Sequence, residues 1–181
     1  MSRTLKKSEG GEVLLFGVGL FSAVAQYIYL REFLTLFAGN EIVVGCILAV
    51  WLLASGFGSL AGRKQKLIGI YTSAALCICA AFSGIFLARA SRLLFLPGEA
   101  IGPIRILLII VLGESPCAFF AGFIFGTLGR DNRRRATLYA AENGGNVIGA
   151  LVAFMLTLIA MNTIGIVLIA ALPLLLGLHR R

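Results

Sequence analysis

Apolar positions run along this chain in long uncharged blocks, at 13–30, 42–62, 67–88, 115–129 and 143–178, and the charged residues collect between them. Several blocks reach the roughly 20 residues that carry a helix across about 30 Å of hydrocarbon. Read with the breakers that separate them, the blocks predict six helices near 13–37, 41–62, 67–88, 103–128, 136–161 and 163–178, in one membrane domain over 1–181. Ala38-Gly39-Asn40 divides the first two helices and Asn162-Thr163-Ile164-Gly165 the last two. Both linkers are short enough to predict antiparallel hairpins. The longest loop is 89–102, with Pro97-Gly98 inside it. The fourth helix would run about 39 Å at 1.5 Å per residue. Pro116 follows Glu114-Ser115 near its centre, which predicts a strong tilt, a kink or two half-helices. The sixth is short and contains Pro173, so it would borrow length from Arg180 and Arg181 reaching to the interface.

Composition turns this pattern into a class. Only 13% of the 181 residues are charged and 59% are hydrophobic, whereas soluble domains carry about 25% charge. The expectation is an all-α integral membrane protein, a bundle of six transmembrane helices. A soluble enzyme and a secreted disulfide scaffold are excluded. The net charge of +8 would point to nucleic acid in a soluble protein, but here the cations sit between the apolar blocks and mark topology and anionic headgroups, so no nucleic-acid partner is expected. Twelve of them (Arg3, Lys6, Lys7, Arg63, Lys64, Lys66, Arg130, Arg133, Arg134, Arg135, Arg180, Arg181) fall on one side of the six-helix scheme, and only Arg89, Arg92 and Arg105 on the other. That bias predicts both termini in the cytoplasm and a multi-pass protein of the cell's inner membrane. Lys6 and Lys7 precede the first block as in a signal peptide, but the block runs to Leu30 with no Ala-x-Ala cleavage pattern, so it reads as an uncleaved span. Cys46, Cys77, Cys79 and Cys117 all lie in apolar segments and read as reduced packing residues.

Ionisable side chains at bilayer depth cost roughly 2.5–3.5 kcal/mol each on insertion scales, so the few present are the candidate sites. Arg31 and Glu32 come late in the first span, one to two turns after Gln26. Arg31 either reaches to the interface to pair with Glu32 or Glu41, with Tyr27 covering its stem, or serves a ligand. Glu142 and Asn146 share a helix face, where they either hold helices together or bind a ligand or ion. Glu114, beside Pro116 at mid-membrane, is the sharpest candidate, either hydrogen-bonded in its neutral form or part of a cation or proton path. Three Gly-x-x-x-Gly patterns, Gly58/Gly62, Gly122/Gly126 and Gly145/Gly149, predict close helix packing. The dinucleotide-like Gly56-x-Gly58-x-x-Ala61 lies within an apolar span with no strand before it and is discarded. The one histidine, His179, rules out a bis-His haem. With no P-loop, His-Glu-x-x-His or Gly-x-Ser-x-Gly, the expectation is no enzyme, no cofactor and no metal.

Two stretches resemble the membrane domain of the spermidine synthase-like proteins, in which transmembrane helices precede a soluble aminopropyltransferase domain. The first runs from Ala25-Gln26-Tyr27-Ile28-Tyr29-Leu30-Arg31 through Gly39-Asn40 to Ala54-Ser55-Gly56-Phe57-Gly58-Ser59-Leu60-Ala61-Gly62-Arg63. The second is Leu138-Tyr139-Ala140-Ala141-Glu142-Asn143-Gly144-Gly145, with Gly122-Phe123-Ile124-Phe125 upstream. Gln26 stands where the family has Glu, Glu142 where it commonly has Asn, and Gly126 where it has Pro. The resemblance implies a membrane module without the soluble half, and therefore no aminopropyl transfer.

Three functions follow as expectations. One is a non-enzymatic subunit that anchors or assembles other membrane proteins or a second copy in the lipid bilayer. Another is a small carrier for a cation, polyamine or proton-coupled solute, using Glu114, Glu142 and Arg31. The third is a lipid or quinone site at the outer interface, formed by Arg31, Tyr27, Tyr29 and the 89–102 loop.

Overall fold

The computed structural model describes residues 2–37, 41–64, 68–95, 101–130, 135–159 and 161–179, with side chains from residue 10 onward. Ala38-Gly39-Asn40, Lys66, Pro97-Gly98, Arg133, Arg134, Arg180 and Arg181 lie outside the described residues. Six α-helices account for nearly all of the rest: α1 (Ser2–Leu36), α2 (Glu41–Lys64), α3 (Ile70–Ser91), α4 (Pro103–Leu128), α5 (Arg135–Leu158) and α6 (Thr163–His179). A 3-10 turn, Arg92–Leu94, extends α3. Five stretches are long and apolar enough to cross a membrane, and α6, at 17 residues, is shorter. The chain is thus a multi-pass membrane protein. Local sequence sets the helix starts: Gly102 is extended ahead of Pro103, which needs no N–H partner in the first turn. α4 is one continuous helix through Pro116 rather than two half-helices.

Packing does not follow chain order. Antiparallel hairpins would set α1 on α2 and α5 on α6, yet those pairs scarcely touch; α2 lies along α4 and α5 along α1. Glycine is the reason. A Cβ on Gly58 or Gly62 would collide with the backbone carbonyl of Phe119 or Phe123, and one on Gly122 or Gly126 with that of Ser55 or Ser59. Across α1 and α5, a Cβ on Gly145 would meet Phe16 O, one on Gly149 Leu20 O and one on Gly19 Glu142 O. In lipid, where burying apolar surface gives helices no mutual preference, such close backbone approach and its Cα–H···O contacts decide which helices pair.

The register of the two seams is the same. Gly58 on Phe119 corresponds to Gly145 on Phe16, Gly62 on Phe123 to Gly149 on Leu20, and Gly122 on Ser55 to Gly19 on Glu142. Both seams join parallel helices. Each central helix also carries an antiparallel neighbour: α3 on α4, where Gly84 meets Gly113, and α6 on α1, where Gly177 meets Leu14. The molecule is therefore two three-helix groups, α1/α5/α6 and α4/α2/α3, with equivalent contacts and opposite direction across the membrane. They meet along α1, α3 and α4, around a core that includes Tyr29, Phe33, Ile47, Ile110 and Ile124.

Candidate functional site

Polar side chains of the spans gather in three places along the junction of the two groups. The first is the interior. Tyr29 is fully buried and its hydroxyl donates to the backbone carbonyls of Ala80 and Ala81 at 3.3 and 3.2 Å. Its ring lies 6.1 Å from Phe33 and 6.4 Å from Trp51, centroid to centroid. A Cβ on Gly84 would stand 2.6 Å from the Tyr29 hydroxyl, and one on Gly113 would stand 2.9 Å from the Phe33 ring. Glu114, next along α4 and at mid-helix, is 0% exposed, and neither carboxyl oxygen has a hydrogen-bond partner among the described residues. One turn on, the Cys77 thiol donates to Cys117 O at 3.5 Å, and the two sulfurs are 3.9 Å apart without a disulfide. An acid, a phenol, two thiols and aromatic rings thus converge where α1, α3 and α4 cross.

The second place opens sideways. A groove of about 590 Å³ between α1, α2 and α5 is lined by Ser22, Gln26, Tyr27, Trp51 and Asn146, among apolar residues. Trp51 and Asn146 lie near the middle of α2 and α5, and Ser22, Gln26 and Tyr27 in the C-terminal half of α1. Ser22 Oγ is buried without a partner, and no hydrogen bond to Gln26 or Asn146 occurs among the described residues. Trp51 lines the groove and also contacts Tyr29, so these two rings stand between the groove and the interior cluster. Glu142 is half-buried one turn along α5, and its backbone carbonyl abuts Gly19.

The third place is the end of the bundle where α1 finishes. Glu32 is buried and accepts hydrogen bonds from Arg89 at 2.9 Å, Arg92 at 3.0 Å and the Thr163 hydroxyl at 3.3 Å. Two of these are ion pairs, and they join α1 to the α3 end and thus one three-helix group to the other. A polar pocket of about 420 Å³ surrounds them, lined also by Arg31, Thr35 and Asn162. At the opposite end the groups are linked by the Tyr71 hydroxyl donating to Leu178 O at 3.3 Å. There Arg130 also donates to Gly62 O at 2.9 Å and Arg135 to Gly129 O at 2.8 Å, each using its charge on a helix C-terminus.

The sequence candidates are therefore split. Gln26 and Asn146 meet in the groove, with Glu142 beside it; Glu114 stands in the interior; Arg31 stands at the polar pocket. Arg31 does not pair with Glu32 or Glu41, because Glu32 is held by Arg89 and Arg92 and no ion pair to Arg31 occurs among the described residues. Tyr29 points inward, away from Arg31, and only Tyr27 of the two tyrosines lines the groove. Trp51 and the Cys77/Cys117 pair were not among the candidates, whereas Glu32 was, as a charged residue late in the first span. Glu32 carried the same signal as Arg31, an acid late in an apolar span, but its partners are 57 and 60 residues away. No group of three metal-ligating His, Cys, Asp or Glu side chains occurs among the described residues. No family model, no curated protein and no solved structure matches the chain.

Proposed function

We propose that the protein is a small carrier in which a proton or small cation is handled by Glu114 while the two inverted three-helix groups move against each other. The observation that carries this reading is Glu114 itself: a fully buried carboxyl group with no hydrogen-bond partner among the described residues, on the helix α4 that meets α1 at the junction of the groups. An unpaired charge at this depth is too costly to persist, so the group holds a proton or a cation whenever the bundle is closed around it. The stacked rings of Phe33 and Tyr29, with Trp51 beyond them, add faces at this junction that attract cations. Two groups of opposite direction with a site between them at mid-depth is the arrangement from which alternating access arises by rocking. The cation bias supports an orientation with both termini in the cytoplasm and the Glu32 end outside, in the inner membrane of a cell. The two ion pairs at the Glu32 end support a state closed on that side.

The test is transport by purified protein in liposomes with a trapped pH dye, using tetraethylammonium and spermidine as probes. A pH gradient should drive uptake of at least one above empty liposomes, and Glu114→Gln should abolish it while the protein still folds. Uptake of neither probe, or full uptake by the Gln variant, contradicts the carrier.

A second reading, an anchoring subunit, draws on the groove. Side-chain amides at mid-membrane hold helices together, and Gln26 and Asn146 have none of the described residues to bond. A stoichiometric membrane partner retained after mild detergent extraction, and lost in Gln26→Leu/Asn146→Leu, would favour it; a lone monomer would count against it. The resemblance to the membrane domain of the spermidine synthase-like proteins is compatible with both, and both are non-enzymatic.

A further inference from the structure

The pocket at the Glu32 end has more cationic donors than its own acid can use. Three guanidiniums, those of Arg31, Arg89 and Arg92, line it against one carboxylate. Glu32 takes one N–H from each of Arg89 and Arg92, and a guanidinium has five. Both side chains are near 40% exposed, at 39% and 44%, so their remaining donors are accessible from the pocket. Arg31 is exposed at the rim and in none of the ion pairs. Thr35 and Asn162 add neutral hydrogen-bonding groups; the Thr35 hydroxyl donates to Arg31 O at 2.7 Å, which fixes the rim of the pocket.

The geometry points to a binding site for a phosphate group. Phosphate is the anion that every phospholipid presents at a membrane surface, and its oxygens match the planar fork of arginine, because two parallel N–H···O bonds form at once. Glu32 is the positioning residue: buried on the helix side, it sets the two guanidiniums side by side and lowers the charge of the site, so that the anion meets a net positive pocket already ordered. The site lies at the end of the bundle where α1 and α3 finish and α6 begins, and its 420 Å³ admits a phosphate with a small substituent. The same chemistry comes from an anionic phospholipid headgroup or from a free phosphate ester. The assignment is independent of the carrier reading, since it uses neither Glu114 nor the groove.

The experiment compares two sources on the whole protein. Protein in mixed phosphatidylcholine/phosphatidylglycerol nanodiscs is released into a mass spectrometer, and retained lipids are counted. In pure phosphatidylcholine nanodiscs, inorganic phosphate is titrated by calorimetry. Phosphatidylglycerol retained well above its share of the bilayer assigns the site to lipid, and saturable phosphate binding assigns it to a soluble ester. In either arm Arg31→Gln should weaken binding at least tenfold with unchanged thermal unfolding, whereas Arg105→Gln, a cation outside the pocket, should not. Failure of both arms overturns the site. So does an equal loss in the two variants, which would mean general attraction to basic surface, and so does Arg31→Gln binding as tightly as the parent.

Discussion

At the scale of single residues, Glu114 sets function against stability. Its neighbours offer it no hydrogen bond, so the sequence-based alternative of a bonded, purely structural acid lacks its partner. Replacing a buried polar group that is itself unsatisfied removes a desolvation penalty of about 1–3 kcal/mol. Glu114→Leu should therefore raise the unfolding midpoint in detergent while transport falls to background; a lower midpoint would show that the carboxyl does hold the fold. Glu32 is the reverse case. Removing it leaves Arg89 and Arg92 facing each other without an anion, so Glu32→Ala should destabilise the protein more than Arg31→Ala, which breaks no ion pair. Equal midpoints for the two would remove Glu32 from the account. The acids and Arg31 were legible from the sequence because charge inside an apolar block is rare. Which of them had partners was not, since the partners lie on other helices.

At the scale of helices, the small-residue stripes carry the pairing. Gly58→Leu or Gly145→Leu forces a side chain into the carbonyl of Phe119 or Phe16. Overpacking costs about 1–3 kcal/mol where neighbours can yield, and backbone yields less than side chains do. Both variants should lose stability or fail to assemble, and Gly45→Leu, with open space around it, should not. Similar melting of all three would contradict the seams. The apolar blocks made six helices readable, and the Gly-x-x-x-Gly spacing made the packing faces readable. The pairing was not: short linkers argued for hairpins, and the competing preference of Gly58 for α4 over α1 is a matter of complementary relief on two surfaces. One signal went unread. Ala54-Ser55-x-x-Gly58-x-x-x-Gly62 repeats as Ala141-Glu142-x-x-Gly145-x-x-x-Gly149, and the repeat anticipates the matched seams.

At the scale of the molecule, two groups with like contacts and opposite direction have two arrangements available, each closing one end. Glu32 with Arg89 and Arg92 closes one end in the structure, and Tyr71 with Leu178 ties the other. The cation bias predicts that the end holding Arg63, Arg130 and Arg135 is cytoplasmic. A cysteine introduced at Arg63 on a cysteine-free background should be labelled only after the membrane is permeabilised; labelling from outside would invert the topology.

Spin-label distances in liposomes report whether the groups rock about the Glu114 junction. One pair joins Thr35 to Leu93 across the Glu32 end, and the other joins Tyr71 to His179 across the opposite end. All four positions are exposed. Two populations are expected, in which the first distance lengthens as the second shortens, with Glu32→Gln shifting the balance toward the open Glu32 end. A single distance at each end, unchanged by pH, by either transport probe and by Glu32→Gln, would contradict the rocking.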